Sequence, residues 1–393
     1  GHRRDAFAQV EFAGVKPPLR TKLKKLTGDR NHLNPMFRTE LWVPVVTPTS
    51  TQTIKMSVWD YELTAPNELV AMFYDKYSVV EHQCKDGGKP LARWVNMYGA
   101  QTGLSNTENF FKDVQNVATF DWKEFYNKFN EHAPSFRGRV LISQRVEDKE
   151  EGLDKHPKKE QAPFRRRIKK LDHSFEPAVA SGHTIQALVI VGSEMPSFTS
   201  TDLKSLGSTS KMSVRISCGQ YAMHSRRQPN NNGVCEWNEL VGEGGLELMG
   251  YPEDPDQVPD VFVHLIKGES SSGVACSFAR FKFSELYKDG KGFDVEPRWI
   301  VLQKDKHLSQ YSDDTFPGSI LLQLGAIAPL ALGAWRVRLG RWSAVLHASM
   351  FASSFVGNLQ QLATLPWADG FGAPSLVSWC MAGGNAGALI AAG

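Results

Sequence analysis

Three carboxylates crowd one short stretch of the 393-residue chain: Asp60, Glu62 and Glu68 in Trp59-Asp60-Tyr61-Glu62-Leu63-Thr64-Ala65-Pro66-Asn67-Glu68. Carboxylate oxygens are hard ligands, and Ca2+ takes about 6–8 oxygens at about 2.3–2.6 Å. A calcium-binding loop is one reading of this stretch. A solvated hairpin loop, turned by Pro66 and Asn67, is the other. Just upstream, Ile54, Met56 and Val58 share one parity and predict a strand with one apolar face.

Two basic stretches could meet anions. In Arg20-Thr21-Lys22-Leu23-Lys24-Lys25-Leu26, Arg20, Lys22 and Lys24 alternate, so a strand there carries a row of cations on one face, with Lys25 beside it. On spacing alone that row reads as an outward-facing, solvated sheet face. The second stretch is Arg165-Arg166-Arg167-Ile168-Lys169-Lys170, which closes a block opened by Glu147, Asp148, Glu150 and Glu151. Such a block reads as a solvated interdomain linker over 146–175. The alternatives are a polybasic contact with anionic lipid, at about 1 kcal/mol per Lys or Arg, and a nuclear-localisation signal.

Bulk properties narrow the function classes. Lys and Arg total 45 against 42 Asp and Glu, so there is no global nucleic-acid signature. The five cysteines are scattered without CxxC spacing, which fits a reducing setting and argues against a disulfide framework or zinc site. No P-loop, kinase signature, GxSxG elbow or HExxH is present, so no enzymatic role is expected. His82, His132 and His264 read as surface or core residues. The chain opens without Met or a signal segment and enters a strand-like stretch at once, as a piece lacking its N-terminal part would.

The positioning elements are short strands separated by turn signals, an all-β pattern. Two stretches break it with helix-compatible spacing, Thr107 to Val117 and Asp121 to Glu131, a partly helical insertion over about 100–135. A second all-β pattern fills 176–325, after a first over 1–145. The halves repeat. Arg93-Trp94-Val95 resembles Arg298-Trp299-Ile300, and Phe136 to Ile142 resembles Phe316 to Leu322. Met56-Ser57-Val58-Trp59-Asp60 stands where the second half has Val261-Phe262-Val263-His264-Leu265. Residues 326–393 form an Ala/Gly-rich tail, expected to be poorly ordered, with too little hydrophobicity for a clear membrane span.

Several motifs together resemble the ferlin family. They are Asp5-Ala6-Phe7-Ala8-Gln9-Val10, Asn34-Pro35-Met36-Phe37, Val58-Trp59-Asp60-Tyr61-Glu62, Trp94 to Gly99, and Phe136-Arg137-Gly138-Arg139. The resemblance implies tandem antiparallel eight-stranded C2-type β-sandwiches in a membrane-associated protein of vesicle fusion and membrane repair. It implies calcium at Asp5, Asp60, Glu62 and Glu68, although Glu replaces the usual Asp twice. It also implies that Lys22, Lys24 and Lys25 lie on a strand that contributes to a basic lipid-facing surface. Anionic phospholipid membranes and other trafficking proteins are the partners it implies, with a place at the cytoplasmic face of membranes. In the second sandwich, Asp202 and Glu269 are too few for calcium. A calcium-independent protein-interaction scaffold is the competing reading.

Overall fold

The computed structural model describes residues 5–25, 35–62, 66–85, 92–101, 120–146, 164–168, 182–196, 211–267, 274–287, 295–306 and 316–327. The expected helix over Thr107 to Val117 and the 326–393 tail beyond Ile327 lie outside the described residues.

The fold is all-β, built from antiparallel sheets. In the first unit, strand β1 (Asp5–Glu11) pairs with β2 (Leu19–Arg20) and β3 (Lys24–Lys25) on one side and with β5 (Thr53–Tyr61) on the other. Strand β6 (Glu68–Lys76) follows β5. The parity of Ile54, Met56 and Val58 puts all three into one apolar cluster with Ala71 and Phe73. A hairpin of β7 (Arg93–Gly99) and β8 (Ser135–Ile142) closes over it with Val95, Met97, Val140 and Ile142. Strand β4 (Thr39–Trp42) ends before Pro44, which cannot donate to a ladder. Helix α1 (Tyr77–Lys85) follows β6.

The second unit is a two-sheet sandwich. One sheet runs β14 (Cys235–Leu248), β10 (His183–Ser193), β19 (Ser319–Ile327), β17 (Arg298–Val301). The other runs β12 (Tyr221–His224), β11 (Lys211–Cys218), β15 (Val261–Lys267), β16 (Val274–Phe281), β18 (Gln303–Lys304), with β13 (Gln228–Pro229) also on β11. Alternating residues such as Val214, Ile216, Val263 and Leu322 fill the space between them.

The repeat seen in the sequence is reproduced in strand register. Arg93 faces Ile142, Trp94 Leu141, Val95 Val140 and Asn96 Arg139. In the second unit Arg298 faces Leu322, Trp299 Leu321, Ile300 Ile320 and Val301 Ser319. β5 lies between β1 and β6 as β15 lies between β11 and β16.

Two sequence expectations change. The basic stretch from Arg20 is not one strand. It breaks at Thr21, whose N–H donates to the Ala8 carbonyl (2.8 Å) and whose Oγ1 accepts from the Ala8 N–H (3.0 Å). The buried Thr21 pins the chain there. The second change lies in the 146–175 segment. Phe164–Arg167 is not free linker but strand β9, paired with β4: Thr39 faces Arg167, Glu40 Arg166, Leu41 Arg165 and Trp42 Phe164. The backbone of β9 takes ladder bonds from β4 while its three arginines stay exposed to solvent, so pairing costs them no solvation.

Candidate functional site

The topology brings the four expected calcium ligands to one end of the first sheet. Asp5 opens β1 opposite Tyr61, while Asp60 sits between Ala6 on β1 and Glu68 on β6. Glu62 follows β5, and its N–H donates to Asn67 Oδ1 at 3.4 Å. Strand alternation then works against a common site. Asp5 shares a face with Tyr61, whereas Asp60 and Glu68 share the other. Glu68 already holds a cation: its Oε1 is 2.8 Å from Lys123 Nζ on helix α2 (Trp122–Lys128). Asp5 Oδ1 is buried without a hydrogen-bond partner. Among the described residues no group of three or more His, Cys, Asp or Glu could hold a metal ion. As these side chains stand, the four acids are not gathered into one cluster. In the second unit, Asp202 and Glu269 lie outside the described residues.

The basic stretches, by contrast, converge. Arg165 Nη1 on β9 donates to the carbonyl of Arg20 on β2 at 3.3 Å. Residues 145 positions apart in sequence thereby share one surface. Arg20, Lys22, Arg165, Arg166 and Arg167 are exposed, and Lys24 is half-buried. Alternation sends Arg165 and Arg167 to one face of β9 and Arg166 to the other. Arg166 lies opposite Glu40, with Nε 3.8 Å from Oε2, so one cation is partly compensated. Arg20 keeps its Cζ 5.8 Å from the Phe7 ring centroid. Lys25 belongs to β3; Lys169 and Lys170 lie outside the described residues. Arg145, absent from the basic stretches picked out in the sequence, sits 5.3 Å from the Trp42 ring centroid on β4. No motif marks it, since Arg145 follows β8 and Trp42 closes β4, far apart along the chain.

The hairpin that closes the first unit also joins the second. Trp94 N–H donates to Gln257 Oε1 (3.1 Å), and Asn96 Nδ2 to the Gln257 carbonyl (3.1 Å). The Arg139 Cζ lies 4.1 Å from the Trp94 ring centroid and 4.6 Å from that of Tyr251. Its Nη2 donates to the Gly250 carbonyl at 2.9 Å. Burial pulls the Arg139 guanidinium pKa down. Nearby, Arg280 bonds Asp260 Oδ2 (2.6 Å) and the Asn130 carbonyl while its Cζ lies 3.9 Å from the Tyr98 ring centroid. Tyr98, Tyr126, Ala133, Phe262 and Phe278 form one buried cluster across the junction. Among the described residues no helix is long and apolar enough to cross a membrane.

No protein-family model matches the chain, and no curated protein matches it. Among solved structures it is similar to the first C2 domain of a plant extended synaptotagmin 1, at 12% identity and TM-score 0.27, covering 38% of this chain and 96% of that one. It is also similar to the tandem C2 domains of extended synaptotagmin 2, at 10% identity and TM-score 0.24, covering 82% of this chain and 81% of that one. A longer structure of that protein, with its SMP domain and both C2 domains, matches at 10% identity and TM-score 0.24 over 83% of this chain, which spans 51% of it. At such scores the likeness adds nothing to what the sheets themselves establish, an antiparallel β-sandwich architecture.

Proposed function

We propose that the chain is a C2-like module that binds anionic phospholipid surfaces through the cations of β2, β9 and the segment between β2 and β3. The observation that carries this reading is the 3.3 Å bond from Arg165 to the Arg20 carbonyl, which merges two basic stretches into one exposed surface. A lysine or arginine near an anionic leaflet contributes about 1 kcal/mol, so Arg20, Lys22, Arg165 and Arg167, leaving out Arg166 beside Glu40, together supply about 4 kcal/mol at low salt. That suits reversible peripheral attachment. The ferlin-like motifs support a role in membrane trafficking, fusion or repair at the cytoplasmic face. Calcium is not required by this surface, because its charge is already positive.

Vesicle co-sedimentation tests the reading. Binding to vesicles containing phosphatidylserine is expected to exceed binding to phosphatidylcholine vesicles, to weaken with added salt, and to persist with chelator. Replacing Arg165 and Arg167 by Gln is expected to weaken binding about tenfold or more. Equal binding to neutral vesicles, or no effect of the double substitution, would sink the proposal. Binding that appears only with added calcium, and is lost on Asp60→Asn, would instead favour the acidic sheet end.

A further inference from the structure

The internal junction has two halves, and each recurs elsewhere in the chain without a partner among the described residues. One half is a hairpin face, Trp94, Asn96 and Arg139 on β7 and β8. The other is the loop 250–257 with Tyr251 and Gln257. Register maps the hairpin face onto Trp299, Val301 and Ser319 of β17 and β19. There Trp299 is 53% exposed and Val301 62% exposed. The spacing that carries Arg93 onto Arg298 and Met56 onto Val261 also carries Val46 onto Tyr251 and Gln52 onto Gln257. Within each loop the glutamine reaches the equivalent position: Gln257 Nε2 donates to Asp254 Oδ2 (3.0 Å), and Gln52 Nε2 to the Thr49 carbonyl (3.2 Å). Val46 is 86% exposed, the most exposed large hydrophobic among the described residues. The first unit thus shows a free loop, and the second a free hairpin face.

We infer that the free loop Val45–Gln52 of one chain docks on the free hairpin face around Trp299 and Val301 of a second copy, repeating between chains the junction made within one. Charge selects this pairing. At the internal junction Arg139 meets a loop that carries Glu253, Asp254 and Asp256. At the free surfaces both charges are gone: Ser319 stands for Arg139, and Val45–Gln52 contains no acid or base. An uncharged loop suits the apolar face and gains nothing from the arginine-bearing one, while the acidic loop is satisfied only at the latter. Among the described residues β17 has no strand on its outer side. The shared register leaves the Trp299 N–H on that edge, where the Gln52 side chain can accept from it as Gln257 accepts from Trp94. Such a contact is head-to-tail, so it closes a ring or continues as an open chain.

Sedimentation velocity of the full chain, over a range of concentrations, tests this. The expected result is an average mass that rises with concentration. Val46→Glu and Trp299→Glu each put a charge into the contact at an exposed position, and each is expected to weaken assembly about tenfold or more without lowering the melting temperature. The decisive sample mixes the two variants. Each retains the half that the other lacks, so together they are expected to form a one-to-one pair that grows no further. A chain that stays monomeric at every concentration overturns the inference. So does assembly that survives both substitutions, or a mixture that fails to pair.

Discussion

His264 has almost no access to solvent, and its ring stacks against Phe262 with centroids 5.7 Å apart. Its Nε2 donates to the Pro134 carbonyl at 2.8 Å, and its Nδ1 has no hydrogen-bond partner. Burial pulls the imidazole pKa from 6.5 down to about 4, and the nearby Arg215 adds to the fall. The unfolded chain therefore takes up this proton near pH 6.5, whereas the folded chain resists it until about pH 4. Between those values the unfolded state binds more protons, so stability declines as pH falls through the window. The full effect is up to about 3 kcal/mol. Denaturant titrations at pH 7.5 and pH 4.5 should show the loss. It should shrink in His264→Gln, which keeps an amide donor but cannot titrate; an unchanged pH profile in that variant would count against this residue. From sequence, His264 reads only as a surface or core residue. The approach of Pro134, from the other unit, is what puts it in a junction.

Helix α2 acts as a bracket between strands. Its N-cap is Asp121, whose Oδ1 accepts from the Glu124 N–H at 2.9 Å. Asn127 is buried, with Nδ2 donating to the Leu69 carbonyl (2.7 Å) and Oδ1 accepting from the Ala100 N–H (2.9 Å). One side chain therefore satisfies backbone groups at β6 and at the end of β7. Asn127→Ala strands both groups, each costing about 1–3 kcal/mol. A drop of about 2–5 kcal/mol in unfolding free energy is expected, with faster hydrogen exchange at Ala100. A loss within experimental error would show that water replaces the amide. The element is legible in sequence as Asp121 followed by spaced aromatics. Its role is not, because Leu69 and Ala100 are far from it along the chain. The same holds for β9: its arginines read as a linker because nothing local reveals the open edge of β4.

At the scale of the whole molecule, the two units share a core. Tyr98 packs on Phe136 and Phe262 with centroids 6.0 and 5.7 Å away, and its hydroxyl accepts from the Asp260 N–H at 2.9 Å. Burial, then the Asp260 charge, raises the Tyr98 pKa well above its ordinary value, so the ring stays neutral. Lys306 joins from the second unit, its N–H donating to Tyr126 Oη at 3.1 Å. Units coupled this way should unfold together. A single calorimetric transition is expected for the intact chain. Tyr98→Ala should cost about 3–5 kcal/mol and split the transition in two. Two independent transitions in the unaltered chain would refute the shared core.

The strand pattern, the parity of Ile54, Met56 and Val58, and the repeat that the register matches pair for pair are all legible along the chain. These depend on local periodicity, which a single chain displays directly. The sequence also determined which side chains could bind cations or anions. Whether they meet was decided only by tertiary structure. The acids reach one sheet end, yet alternation divides Asp5 from Asp60 and Lys123 takes Glu68. Arg20 and Arg165, far apart in sequence, meet where β9, paired with β4, passes β2. Pairing energy is shared between distant backbones, and no local pattern encodes which distant strand will supply it.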